Sequence, residues 1–432
     1  MHLIQEIIAR YKSGKHTGIF SNCSANEYVL RAVMRRCKTH NIPALIEATA
    51  NQVDQDGGYT GMTPSGFYKW CLEIAGREGF DPALLILGGD HLGPLTWTKL
   101  SEDDAMAKAE KLILDYVSAG FTKIHIDTSM HLASDDPGKP LSDEVIAERG
   151  ARLCEAAESA YKKLREVSRD APKPVYVIGS EVPIPGGAQE HDEHEELGVT
   201  SKENCLATIV AFKEAFEQRN LTDAWVRVVA VVVQPGVEFS EDNVFVYNSE
   251  KAKELCKAVK NDRFVLEGHS TDYQPRPAMR NLVRDGVIIL KVGPALTFAL
   301  REALFALEFI EKIALRGSKA TLSRFSEVLE EVMLEKPGQW NKHYHGDEYK
   351  LLINRAYGFS DRVRYYLPEP AVKEAIDRLV SNLNEPIALP LLSQFMPVQY
   401  ARVRDGTLRN DVDDLILDRI GDCIDDYIYA IN

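Results

Sequence analysis

LLILGGDHLGP (84–94) runs from four apolar residues through two glycines into Asp90-His91. FTKIHIDTS (121–129), VYVIGSEVPIPGG (175–187) and RFVLEGHSTDY (263–273) have the same form. In each, a short buried-type run stops and His, Asp or Glu follows at once. Burying a charge without a partner is costly, so packing alone seldom puts ionisable groups there. In a parallel sheet the carboxyl ends of the strands are where ligand and catalytic groups gather. Four such ends in one chain point to a single convergent site and to an enzyme.

Working outward from these segments, apolar runs bounded by turn residues predict strands at 18–21, 44–48, 84–87, 123–126, 175–178, 226–233, 264–266 and 287–292. Helix-period segments lie between and after them, at 27–39, 64–76, 101–119, 142–167, 201–219, 249–260, 277–284 and 297–315. Several open on good caps: Thr63 is followed by Pro64, and Ser101 by three acids that suit a helix N-terminus. Eight strand-then-helix units predict an α/β fold, a (β/α)8 TIM barrel over residues 1–315. Residues 316–432 lose the alternation and read as a helical C-terminal extension, with helices at 318–334, 370–382 and 411–430. Within it, SDRVRYYLPEP (360–370) sets two arginines beside two tyrosines. A packed, solvent-edged turn is the commoner fate of such residues, and contact with the site is the alternative.

A formal net charge of −14 argues against a nucleic-acid surface, which needs a basic stripe. No stretch approaches the roughly 18–20 apolar residues of a membrane span. The seven cysteines are scattered, odd in number and without a CxxC pair, as reduced thiols in a cytoplasmic protein would be. No GxGxxG or GxxxxGK[ST] loop follows any strand, which weakens dinucleotide-binding and nucleotide-phosphate readings.

The stretches LIEATANQVDQDGGYTGMTP (45–64), GGDHLGP (88–94), GFTKIHIDTSM (120–130), SEVPIPGG (180–187), VVVQPGVEF (231–239), EGHSTDYQ (267–274) and LKVGPALTFALREALFALE (290–308) resemble the accessory (Z) subunit family of D-tagatose-1,6-bisphosphate aldolase. That family is similar to the metal-dependent class II aldolases, which are (β/α)8 barrels, and to ketohexose and ketohexose-phosphate 4-epimerases. A kinase label attached to it in places finds no support in a chain without a nucleotide-phosphate loop.

The resemblance implies roles at matching positions. His91 stands where class II aldolases have a metal-binding His, and Asp90 where they have the acid/base. Glu181, before Gly186-Gly187, stands near the metal, and the loop with Gln189, Glu190, His191 and His194 stands where they place a mobile acid. Gln234 replaces a second metal-binding His and Glu267 a third, with His269 two residues on. Positions i and i+2 of a continuing strand share a face. The pair therefore offers either ligand, and we count His269 with the ligands and Glu267 with the catalytic carboxylates. The expected ligand set is then His91, Glu181, Gln234 and His269, rich in oxygen donors. It would hold a divalent ion (Zn, Mn, Co, Ni or Mg), with harder ions favoured. Asp127 matches a carboxylate near the metal and is counted with the catalytic carboxylates. His125, on the same strand face, is counted with the substrate-binding groups, the alternative being a place in the barrel's interior layers.

Glu47, Asn51 and Gln52 are candidate hydroxyl-binding groups. Ser270, Thr271 and the Gly293-Pro294 turn could receive an anionic end of a substrate, with charge from Lys291 or Arg301. Two functions follow. One is a metal-dependent 4-epimerase of ketohexoses or ketohexose phosphates, working by retro-aldol and aldol steps. The other is a non-catalytic subunit that stabilises a class II aldolase. A sugar substrate, a homo-oligomer and no nucleic-acid or membrane partner are expected in the first case, with the aldolase subunit as added partner in the second.

Overall fold

A computed structural model describes residues 1–179 and 197–432 of the chain. Eight parallel strands close into a barrel: β1 (Ile19–Asn22), β2 (Ala44–Thr49), β3 (Leu85–Leu92), β4 (Lys123–Ile126), β5 (Val175–Ile178), β6 (Val228–Val233), β9 (Val265–Gly268) and β10 (Val287–Val292). β1 pairs with β10 to complete the ring. Helices α2 (Glu27–His40), α3 (Pro64–Glu78), α4 (Glu102–Ala119), α5 (Asp143–Val167), α6 (Lys202–Gln218), α8 (Ser249–Ala258), α9 (Arg276–Asp285) and α10 (Pro294–Ala314) follow the strands. The expected caps Thr63 and Ser101 form, and Ser142 and Ser201 cap their helices likewise, each side chain accepting a first-turn N–H. α1 (Leu3–Lys12) precedes the barrel, and among the described residues no helix is long and apolar enough to cross a membrane.

Three details depart from the periodicity. The run expected as strand from residue 226 begins as a short helix, α7 (Thr222–Val226). An antiparallel hairpin, β7 (Glu238–Phe239) with β8 (Val244–Phe245), intervenes before α8. The helix expected at 318–334 is α11 (Phe325–Glu335), because Glu311 takes the Ser323 backbone N–H and hydroxyl and holds the preceding turn open.

The C-terminal part continues through α12 (Glu348–Tyr357), α13 (Pro370–Asn382), α14 (Leu389–Phe395) and α15 (Pro397–Arg404) to α16 (Val412–Ile431). α16 packs on α2, α9 and α10, so it belongs to the outer shell of the barrel. Arg31, Arg35 and Arg36 of α2 pair with Asp413, Asp414 and Asp418 along it.

β3 is the strand that makes the site. Gly89 pairs with Ile124 and Leu92 with Ile126, so three steps on β3 match two on β4. The extra residue is a bulge at Asp90-His91, and His91 takes a left-handed φ of 48°. In a regular strand adjacent side chains point to opposite faces; the bulge lets both Asp90 and His91 turn to the mouth. Gly93, just beyond, is pressed against β4: a Cβ there would lie 1.7 Å from the Asp127 carbonyl oxygen. Gly93→Ala is expected to cost about 3 kcal/mol or more in unfolding free energy, as overpacking does. Thermal melting measures it, and an unchanged midpoint would count against the clash.

Candidate active site

The inward face of the strands carries charge instead of the usual aliphatic layers. Lys123 and His125 alternate inward on β4, and both are fully buried. Lys123 Nζ lies 2.8 Å from Glu47 Oε1 and 2.7 Å from Glu267 Oε2. Ser21 Oγ donates to Glu47 Oε1 at 2.5 Å, and a Cβ on Gly88 would crowd the Glu47 side chain. Lys291 Nζ meets Glu47 Oε2 at 3.0 Å and Asp90 Oδ1 at 2.8 Å. This lattice is the floor of the site.

Above it, Asp90, His91, His125 and His269 gather, with one potential ligand atom from each within 4.8 Å of the others. The His91 ring centroid lies 5.0 Å from that of His125 and 5.0 Å from that of His269. Each imidazole has one nitrogen held by the protein. His91 Nδ1 is 2.8 Å from Asp127 Oδ2, and His269 Nε2 is 3.1 Å from Glu267 Oε1. His125 Nδ1 lies 2.9 Å from Asp90 Oδ1 and also 3.1 Å from the His91 backbone N–H. Those two contacts call for opposite tautomers, and an ionised Asp90 favours the proton on Nδ1. His125 Nε2 is then an unprotonated acceptor, buried and without a hydrogen-bond partner. Metal-binding histidines have this pattern, one nitrogen oriented by a carboxylate or carbonyl and the other presented to the ion.

The electrostatics agree. Burial opposes ionisation of Asp90, but Lys291, His91 and the His125 hydrogen bond hold its carboxyl well below the usual range. Burial also opposes charge on Asp127, yet the hydrogen bond with His91 keeps it at about 2. Lys291 is pushed the other way: burial would lower its ammonium, and Asp90 above all raises it well beyond the ordinary value. His91 is raised because Asp90 and Asp127 outweigh burial, whereas burial takes His269 down to about 3. Two lysines, Lys123 and Lys291, thus face three carboxylates, Glu47, Glu267 and Asp90, and a fourth, Asp127, pairs with His91. The excess of two negative charges, with three imidazoles, suits a divalent cation.

A cavity of about 400 Å³ opens over this group. Asp90, His91, His269, Ser270 and Lys291 line it on the barrel side. The opposite wall comes from the C-terminal extension, with Arg364, Tyr365, Leu367 and Lys373. The segment 360–370 therefore reaches the site, the less expected of its two fates. Arg301, too far down α10 to touch the cavity, anchors that segment through Asp361 at 3.1 Å.

The profile of one protein family matches residues 4–432; its description is D-tagatose-1,6-bisphosphate aldolase subunit GatZ/KbaZ-like. The chain belongs to that family. It is 43% identical to a protein from Sinorhizobium meliloti 1021, whose crystal structure is described as a probable tagatose 6 phosphate kinase. The alignment covers 96% of this chain and all of that one, with a TM-score of 0.86. The YdjI aldolase from Escherichia coli K12 aligns over 88% of this chain and 97% of its own at 13% identity. Its TM-score of 0.41 is too low to build on.

Within this GatZ/KbaZ-like chain the expected residues fall into distinct places. His91 and His269 join the group of four, and Asp90 joins it as well. Gln234 does not: its side-chain oxygen accepts the N–H groups of Gly236 and Val237 and shapes the turn after β6. The third imidazole of the group is that of His125 on β4, two strands from β6 around the barrel. Glu181 and the residues Gln189, Glu190, His191 and His194 lie outside the described residues. Glu47 and Glu267 are sealed beneath the cavity, and Thr271 donates its hydroxyl to the Lys291 carbonyl. Asn51 and Gln52 line the cavity, although Gln52 is spent on Thr49 N and Cys23 O. Gly293 N and Ala295 N donate to Asp272 Oδ1, so the α10 N-terminus is already filled by a carboxylate. Lys123 was missed. Its signal was present in KIHI (123–126), where position 123 shares a face with His125.

Proposed function

We propose that the chain is a metal-dependent 4-epimerase of a ketohexose or ketohexose phosphate, working by cleavage and re-formation of the C3–C4 bond. The observation that carries this reading is the set of three imidazoles, each with one nitrogen unclaimed, beside an ionised Asp90 under a sugar-sized cavity. His91, His125 and His269 would hold the ion, and the nitrogen-rich set favours Zn²⁺, Co²⁺, Ni²⁺ or Mn²⁺ over Mg²⁺. A divalent ion there supplies Lewis-acid polarisation of the substrate carbonyl and its neighbouring hydroxyl.

Asp90 takes the proton of the C4 hydroxyl as the C3–C4 bond breaks into an enediolate and an aldehyde. Lys291, 2.8 Å from Asp90 Oδ1, keeps that carboxylate ionised and adds positive charge beside the enediolate. Rotation of the aldehyde within the cavity presents its other face. Re-addition, with the proton returned from Asp90, inverts C4. Asp127 and Glu267 orient His91 and His269 rather than touching the sugar.

The test is incubation of the purified chain with tagatose or fructose and their 6-phosphates, followed by chromatography for the C4 epimer. Activity should fall to background on chelation and return with Zn²⁺, Mn²⁺ or Co²⁺. His125→Ala should lower bound metal, read by elemental analysis, with turnover lost alongside. Full metal content in that variant would remove His125 from the ligand set.

A second reading, a subunit that supports a separate class II aldolase, is favoured by the family description and by one surface. On α12, Tyr349, Leu352, Ile353 and Tyr357 form an exposed apolar stripe. No C4 inversion with any metal, together with co-elution with such an aldolase, would decide for it.

A further inference from the structure

We propose that Arg364, assisted by Tyr365 and Lys373, seats the anionic group of the substrate, a phosphate monoester at the end remote from the reacting bond. This rests on the sugar-binding reading of the cavity above. Three cations line that cavity among the described residues: Lys291, Arg364 and Lys373. Lys291 is committed to Glu47 and Asp90 at the floor. The α10 N-terminus, the natural anion seat on the barrel, is filled by Asp272. That leaves the extension.

Arg364 is set in the cavity wall, and among the described residues no carboxylate pairs with it at salt-bridge distance, although Asp361 and Asp272 act on it from further off. Its Nη1 donates to the Ser360 carbonyl and, at 3.0 Å, to that of Asp361. Its Nη2 donates to Tyr365 Oη at 3.2 Å, and the guanidinium stacks 4.6 Å over that ring. Five N–H groups are available to a guanidinium, and these bonds use three. Nε–H and the second Nη2–H form the edge that remains, in the fork geometry that suits phosphate oxygens. A partly buried cation without a direct ion pair is costly, and a bound anion lowers the cost.

The seat is also rigid. Arg301 Nε and the Thr297 hydroxyl hold Asp361 at 3.1 and 2.5 Å, and Tyr273 Oη donates to the Phe359 carbonyl at 2.5 Å. Tyr59 packs edge-on against Tyr365 with centroids 5.1 Å apart. Lys373, exposed on α13 at the rim, adds a second charge.

Calorimetric titration of the metal-loaded chain with fructose 6-phosphate and with fructose tests this without requiring turnover. Wild-type protein should bind the phosphate at least tenfold more tightly. Arg364→Gln should weaken fructose 6-phosphate by about 10- to 100-fold and leave fructose unchanged. Lys373→Met, whose side chain holds no part of the fold, should weaken the phosphate a few-fold and guards against local misfolding in the arginine variant. Equal binding of the two sugars by wild type overturns the proposal. So does equal loss of both sugars in Arg364→Gln with Lys373→Met silent. Phosphate-selective binding without any C4 inversion would keep this seat and reject the epimerase reading.

Discussion

Asp90→Asn lowers kcat for C4 inversion by about 10²- to 10⁴-fold, the range that general acid–base groups supply. The amide keeps the shape of the carboxylate but cannot accept the hydroxyl proton. It also strands Lys291, which then keeps only Glu47. Metal content should stay near wild type, because His91 and His269 keep their own carboxylates and His125 Nδ1 can still donate to the amide oxygen that replaces the Asp90 carboxylate. The informative pattern is therefore lost turnover with retained metal and a melting temperature within a few degrees of wild type. Activity within threefold of wild type would remove Asp90 from the reaction. Loss of metal along with activity would make it a ligand instead.

Lys123→Met lowers unfolding free energy by about 3–5 kcal/mol, because removing one member of a buried ion pair leaves the others uncompensated. Lys123 lies between Glu47 and Glu267, and all three are without solvent exposure. Glu47 retains Lys291, but Glu267 retains only His269. Per-residue unfolding entropies make this a fall of about 3–6 °C in melting temperature for a chain of this length. Lys123→Met with Glu267→Gln should recover much of the loss, since it removes the stranded charge. That recovery is the coupling between the two sites. If the double variant is less stable than the single one, Glu267 is not destabilised by the missing lysine, and the buried lattice has been misread.

The alternation of apolar runs and helix-period segments was enough to predict eight strands and the barrel. Both signals are local: a strand needs a short buried run, and a helix needs a stripe and a cap. Asp90, His91 and His269 were legible for the same reason, as ionisable residues at the ends of apolar runs, whereas Lys123 went unread although it shares a strand face with His125. What the sequence could not decide was which of these groups meet. A one-residue bulge in β3 turns Asp90 and His91 to the same side, and barrel closure brings His125 to them where Gln234 was expected. Arg364 lies 273 positions beyond His91 and enters the cavity wall only because Asp361 is clamped to α10. Periodicity records what each residue does with its near neighbours. Convergence across strands depends on register and closure, and those are properties of the folded chain alone.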